Sequence, residues 1–513
     1  MDTAAARAYD DVLYQTLALE QTHPDRLATQ ARLFGMQPAP VERCRVLELG
    51  CGAGGNLVPM ALASPDSEFV GIDLAARAID AAVALATALG TKNVTFHRQD
   101  ITDITEDLGR FDYVIAHGLY SWVPPAVRDR VLALAAETLS PQGVAYVSYN
   151  TYPGCHLRHS VREMLRFHVR GVTESRERIA RTRDFAKFLM KANEGPTREQ
   201  SFMREELAQI EMNSDGSLFH DDLADINVPV YFHEFAAHGA RHGLQYLGEA
   251  NMFQMHDRMY PPEVRQTLRA LVGDDVLLRE QYLDFMSARR FRQTLLCRDD
   301  VVLDREPAPA VVKQFSFAAP ARPVSANPDL VSPNVVEEFR GRLTGAAVST
   351  DLPLGKVALR IIGERWPEAV SFDVLLAAAR ERLASGAGAG ADDEALCGVL
   401  LGAYYAGLVE LHGRPPQFCL EPGPRPTASP LVRLQVKSGV FVTNLRHVSI
   451  KIEDDIGRHL IALLDGTRDR ATLRASLQRY ATSRAKGGTT VKVEPAAFEG
   501  KLRELGRLAL LVA

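Results

Sequence analysis

Arg45-Val46-Leu47-Glu48-Leu49-Gly50-Cys51-Gly52-Ala53-Gly54-Gly55-Asn56 is the stretch around which the rest of the chain is read. Val46, Leu47 and Leu49 form the short apolar run of a strand covered on both faces. Glycines follow at 50, 52 and 54. Glycine permits left-handed dihedrals and lets a ligand approach the backbone closely. A helix begins near Gly54, and the free N–H groups of a helix start can face a carboxylate or phosphate. Gly50, Gly52 and Gly55 also satisfy G-x-G-x-x-G, which alone admits a dinucleotide. Glu48 argues against that ligand. A carboxylate two residues before the first glycine meets a cationic amine well and a pyrophosphate poorly, because like charges repel.

With Glu48 included, the stretch resembles the E-x-G-x-G-x-G signature of class I S-adenosylmethionine methyltransferases. Further strands follow at 68–73, 94–98, 111–116 and 144–149, and helices fall between them, including an Ala-rich one over about 75–89. This alternation predicts an α/β fold, a doubly wound Rossmann-like methyltransferase sheet with helices on both faces. Ligands of such sheets sit beyond the carboxyl ends of the strands. Glu48, Asp73, Asp100, His117 and Asn150 all fall on that edge. Asp73 closes the second strand, where an acid can accept two hydrogen bonds from a ribose diol or simply cap a helix; its spacing from the glycine turn favours the ribose. Asp100 can accept from the adenine amine while Ile101 offers the ring an apolar face.

Bulk properties bound the function. The chain has 513 residues, 46% hydrophobic and 24% charged, with a net charge of −5. That length predicts about three domains, and the charge gives no field for nucleic acid or anionic lipid. Six cysteines form no C-x-x-C pair, so a reducing cytoplasm is the expected location. Met1-Asp2-Thr3-Ala4 lacks the basic-then-apolar pattern of a signal peptide. No apolar run of about 18 residues is present, so no membrane span is expected.

The expected domains run in order. Residues 1–42 are a helical lead-in carrying Tyr9, Tyr14, Gln21, Thr22, His23 and Pro24; it folds over the cofactor site or serves as a packing helix. The methyltransferase core covers 43–255, with a polar helical insertion at about 156–225. There Arg176, Arg178, Arg181 and Arg183 lie among acids, which favours a solvated face over an electropositive lid. A helix near 232 leads through Gly243 into a late strand at 244–247. Residues 256–305 read as a helical regulatory-type segment ending at Cys297, and 306–333 as a Pro-rich linker. A winged-helix-like domain covers 334–414, with helices near 355–365, 372–383 and 393–406. Its third helix lacks the basic face that DNA binding needs, and a loop at 384–390 alternates Gly and Ala. A second Pro-rich joint spans 415–430, and 431–513 is a small α+β domain for interaction or regulation. No metal is expected. His233 and His238 are off a shared helical face, and His238 with His242 is only a pair of ligands.

Longer strings carry a closer resemblance: Gln21–Leu27, His117–Pro124, Ser148–Gly154, Phe232–Phe235 and Phe291–Cys297. They are similar to a bacterial methyltransferase family with a methyltransferase regulatory domain, which includes rickettsial-type protein lysine methyltransferases that modify outer-membrane proteins. Where members of that family often have Trp after Pro-Gly, this chain has Cys155. The resemblance implies S-adenosylmethionine as donor and a lysine of a protein as acceptor. Methylation of a small molecule, and a cofactor-sensing protein without turnover, are the alternatives. The expected cofactor residues are Glu48, Gly50, Cys51, Gly52, Gly54, Asn56, Asp73, Leu74, Asp100, Ile101, His117 and Gly118. His117, Tyr120 and Asn150 are the catalytic candidates; His117 is equally a wall of the cofactor site. Tyr14, His23, Trp122 and Tyr152 are candidates for substrate contact or a lid, and Tyr120 and Trp122 are either aromatic walls around an amine or core.

Overall fold

The computed structural model describes residues 12, 14, 16–105, 107–342, 345–384, 393–484 and 492–513. Tyr9 and residues 385–390 of the Gly-Ala loop lie outside the described residues.

A seven-stranded sheet carries the first half of the chain. Its strands are β1 (Arg45–Leu49), β2 (Glu68–Asp73), β3 (Val94–Arg98), β4 (Phe111–Ala116), β5 (Leu139–Asn150), β6 (Leu244–Glu249) and β7 (Phe291–Arg298). They lie in the order β3-β2-β1-β4-β5-β7-β6. The first five are parallel, so their carboxyl ends share one edge. Alternation along each strand feeds two cores. Val46, Tyr113 and Val144 face one core, with Leu27, Leu57 and Met60 of helices Pro24–Leu33 and Leu57–Ala63. Leu47, Val114 and Ala145 face the other, with Val131, Leu132 and Ala135 of helix Pro125–Thr138. Burial on both faces is why these strands are near-continuous apolar runs.

The structure corrects the sequence reading in three places. First, the stretch ending at Cys297 is not helical. Helices Pro262–Val272 and Val276–Ser287 lead into β7, which inserts antiparallel between β5 and β6, so the core extends to residue 298. Arg292, in the middle of β7, is fully buried. It pairs with Glu249 of β6 at 2.6 Å and with Asp284 and Glu280 of the preceding helix at 2.9 and 3.2 Å. Second, 306–333 is not a linker. Val312, Phe315, Phe317 and Ala321 are buried in the core of the middle module, and Ser316–Ala318 pairs antiparallel with Val370–Ser371 and Glu410–His412. The prolines punctuate short elements of a folded unit. Third, the joint at 415–430 belongs to the last module, because the Thr427, Ala428 and Cys419 amides bond to its backbone.

The expected helices of the middle module are present as Pro353–Arg365, Phe372–Ala384 and Asp393–Tyr405. The insertion packs helices Cys155–His168, Ser175–Ala192 and Arg198–Met212 around Leu165, Ile179 and Leu207. On its surface Arg181 pairs with Glu177 and Arg183 with Asp215, which fits a solvated face. Among its described residues the last module holds four helices around Leu460, Leu477 and Leu502 and one hairpin, Phe441–Thr443 with Ser449–Lys451. No helix among the described residues is long and apolar enough to cross a membrane.

Candidate active site

The glycine turn leaves β1 with left-handed dihedrals at Gly50, Gly52 and Gly54 (φ +76°, +53° and +71°). A side chain is strained there, since Cβ crowds the following carbonyl. Space adds a second constraint. A Cβ on Gly52 would lie 2.5 Å from Thr16 Cγ2, and one on Gly55 would lie 2.3 Å from the Thr16 carbonyl oxygen. Cys51 offers its backbone to the turn, while its thiol is buried beneath Gly71.

Glu48 is buried at the end of β1. Its Oε1 accepts from Asn56 Nδ2 at 2.7 Å, whereas Oε2 is buried with no hydrogen-bond partner. Burial raises its pKa to about 8. An orphaned acceptor at this position fits a cationic ligand group, which would supply both the missing donor and the charge.

Next along the edge, Asp73 accepts from Gly52 N and Ala75 N, each at 2.8 Å, one on each oxygen. It therefore ties the second strand to the glycine turn, and an ionised carboxylate retains lone pairs for further donors. Leu74 follows it, half-buried. Asp100 forms a local turn with the amide and hydroxyl of Thr102, and Ile101 is buried.

At the ends of β4 and β5 the edge carries His117 and Asn150, with Phe291 of β7 beside them. His117 Nδ1 meets the Tyr146 hydroxyl at 2.9 Å, and burial lowers the imidazole pKa to about 4. Phe291, opposite Asn150 in the sheet, is partly exposed with its ring 6.1 Å from that of His117. Asn150 Nδ2 donates to Asn227, and Gly118 N donates to Ser148. Asn227 precedes Val228, whose amide bonds the Ser121 carbonyl and so holds the loop of half-buried Trp122 against the late segment.

Tyr120 does not join this group. It is buried with its hydroxyl 2.7 Å from His238 Nδ1 and its ring edge-on to Phe235, under helix Phe232–Arg241. Its expected catalytic place is corrected to a packing role, since the phenol is turned into the helical layer. His238 and His242 both meet Asp129 Oδ1, at 3.0 and 2.9 Å. These three are the one cluster of metal-ligand type among the described residues, and they form a hydrogen-bonded set of their own.

The four lid candidates divide. Residues 16–22 form a strap: Thr16 accepts from Gly55 N and Leu19 N donates to Asn56 Oδ1, while Tyr14 reaches Asp221 of the insertion at 3.5 Å. His23 instead caps helix Pro24–Leu33, accepting from Asp25 N. Trp122 is half-buried in the short turn Tyr120–Trp122 that follows β4. Tyr152 stacks on His156 at 4.0 Å beside Tyr231, away from the glycine turn.

Asn56 is the hub of the buried polar set. Besides Glu48 and Leu19 it meets Thr22 at 3.0 Å, and its Oδ1 accepts from His447 Nε2 at 2.9 Å. His447 lies 391 residues away, at the tip of the C-terminal hairpin, so no local pattern could have indicated it.

Comparison with known proteins matches this layout. Residues 46–143 match a methyltransferase domain, 214–298 a "predicted methyltransferase regulatory domain", and 424–496 the "PKMT, C-terminal winged helix domain". The winged-helix match thus falls on the last module, which the sequence suggested only as a small α+β unit. An uncharacterized protein of Rickettsia prowazekii is 33% identical over 502 residues, covering 96% of this chain and 89% of the relative. A second protein from that organism is 35% identical over 229 residues, covering 44% of this chain and 92% of the relative. The structure of PKMT2 from Rickettsia typhi in complex with AdoHcy aligns with a TM-score of 0.84 at 27% identity, covering 98% of this chain and all of that one. With its glycine turn, its regulatory segment and its C-terminal module all matched in one continuous relative, the chain belongs to the rickettsial-type family of class I S-adenosylmethionine-dependent methyltransferases that carry a methyltransferase regulatory domain.

Proposed function

We propose that this methyltransferase acts on lysine side chains of a protein. The observation that carries the acceptor class is the end-to-end likeness to PKMT2, regulatory and C-terminal modules included. The glycine turn would admit the methionine part of the donor, and Glu48 Oε2 would meet its amine. Asp73 would hold the ribose, and Asp100 with Ile101 and Leu74 the adenine. When bound, the donor supplies a methyl group on a sulfonium centre. The chain's own task is alignment and exclusion of water.

The acceptor amine must be neutral to attack. An apolar approach past Phe291, beside His117, would disfavour an ammonium by desolvation. His117 suits the wall better than the base, because an imidazole of pKa about 4 is poorly matched to a lysine ammonium. Asn150, held by Asn227, would orient the incoming amine.

Two measurements follow. In calorimetry at pH 7, donor binding releases a proton, because Glu48 at pKa about 8 is mostly protonated beforehand and ionises against the amine. The sign is fixed by the raised pKa: the site binds a proton between about pH 4.5 and 8 that the unfolded chain does not, so the unliganded protein loses stability as pH rises through that window. Glu48→Gln abolishes the buffer-dependent heat; an unchanged proton count would remove Glu48 from the amine site. For the acceptor, tritiated methyl transfer into a lysate of a deletion strain labels protein, and hydrolysis yields methyl-lysine. Label confined to small molecules would overturn the protein reading.

A further inference from the structure

The hairpin of the C-terminal module is docked at its tip. The tip runs from Asn444 to Val448, and His447 adopts a left-handed backbone (φ +58°) unusual for a residue with a Cβ. Asn444 Oδ1 organises the turn by accepting from the amides of Arg446 and Val448, at 3.0 and 2.9 Å. The neighbouring side chains are committed to the rest of the protein. Arg446 stacks on Trp366 at 3.9 Å and bonds Glu410 of the middle module at 2.6 Å. Ser449 donates to the carbonyl of Ala18 in the strap at 3.2 Å. Between them, His447 is buried and donates from Nε2 to Asn56 Oδ1.

That last contact matters because of what lies behind it. Asn56 Nδ2 donates to Glu48 Oε1, and with the amide turned over an oxygen would face that carboxylate and the bond would be lost. An Asn amide can flip; a fixed donor at Oδ1 prevents this, because the flipped form would set NH2 against N–H. His447 is the donor from outside the methyltransferase domain. Burial keeps its imidazole neutral, with the remaining proton on Nε2 in this geometry.

We infer that the hairpin tip is a working part of the cofactor site: His447 is a positioning residue that locks Asn56 and, through it, aims Glu48 at the methyl donor. This rests on the assignment of the donor to the glycine turn. It gives the C-terminal module a role in the chemistry. The part of a winged-helix hairpin that elsewhere could contact nucleic acid is here turned inward, and its Arg446 is engaged by Glu410 and Trp366.

The test uses the full chain and S-adenosylhomocysteine affinity by calorimetry. His447→Met removes one donor at similar size and weakens binding about tenfold, the effect of losing one buried hydrogen bond from the set that holds Asn56. His447→Gln keeps an N–H donor and restores most of that loss. Lys451→Ala, exposed on the same hairpin, leaves affinity unchanged. In an Asn56→Ala background, His447→Met has no further effect, whereas a role limited to packing would give additive losses. Equal affinity of the Met and Gln variants overturns the inference. If Gly52→Arg also keeps its affinity, the donor assignment itself has failed; if Gly52→Arg loses binding while His447→Met does not, only the role of the hairpin has failed. Should the His447 variants not fold, hydrogen exchange on the wild-type chain decides. By linkage, ligand slows exchange of the Arg446 to Val448 amides if the tip belongs to the site and leaves it unchanged if not.

Discussion

Gly52→Arg abolishes measurable cofactor binding, with a loss of at least about 100-fold in affinity. Two terms add. The left-handed backbone at Gly52 costs a side-chain-bearing residue about 1–2 kcal/mol. The new Cβ also starts 2.5 Å from Thr16, so the strap must lift before the rest of the side chain is placed. The Gly52 amide then loses its bond to Asp73, which ties the turn to the second strand. Gly90→Arg is the matched control. Gly90 has the same backbone sign (φ +68°), lies after helix Ala76–Leu89 and has no atom within 4 Å of its would-be Cβ. That variant is slightly less stable and binds S-adenosylhomocysteine as the wild type does. Equal binding by both variants would remove the glycine turn from the cofactor site.

Arg292→Leu has the largest expected effect on stability. Glu249, Glu280 and Asp284 are buried around one guanidinium, which also lies 4.0 Å from the Phe232 ring. Removing the cation from such a set costs about 3–5 kcal/mol, because the carboxylates stay buried without compensation. Arg289 still reaches Asp284 at 3.0 Å, but Glu249 and Glu280 have no second arginine in their ion pairs. Arg292→Lys fails similarly, since a single ammonium cannot match a fork of three partners. The deficit shrinks as pH falls, because unpaired buried carboxylates take up protons and shed their charge. Adding Glu249→Gln and Glu280→Gln to Arg292→Leu recovers part of the loss. Urea unfolding at two pH values measures all of this; a loss under about 1 kcal/mol at neutral pH would mean that the network does not hold the last two strands.

The same arginine explains part of what could be read beforehand and what could not. Four of the first five strands were legible because each carries an apolar run buried on both faces and ends by a polar residue at the carboxyl edge, while the edge strand β3 sets half-buried Val94 and Phe96 between exposed residues. β7 was not. Arg289, Arg290 and Arg292 give its start the look of a charged helix end, and the acids that neutralise Arg292 come from residues 249, 280 and 284, which no local period connects. The prolines at 309, 320 and 323 misled in the same manner. Composition records where chain direction changes, and it cannot tell a tether from the corners of a folded unit; Phe315 and Phe317 were the contrary signal. Along the sheet edge, Glu48, Asp73 and the glycines stand where motif and strand spacing put them. Tyr120 does not, because a residue's position on a sheet edge does not fix which way its ring turns.

The bond between Asn56 and His447 also has a consequence for how the enzyme is made. Emerging from the ribosome, the chain presents its cofactor turn early and its hairpin tip some 391 residues later. The strap waits as well, since Ala18 is covered by Ser449. Loop closure over such a span is a late event in folding. On the proposed role of His447, nascent and truncated chains would bind the donor about tenfold more weakly until the last module docks.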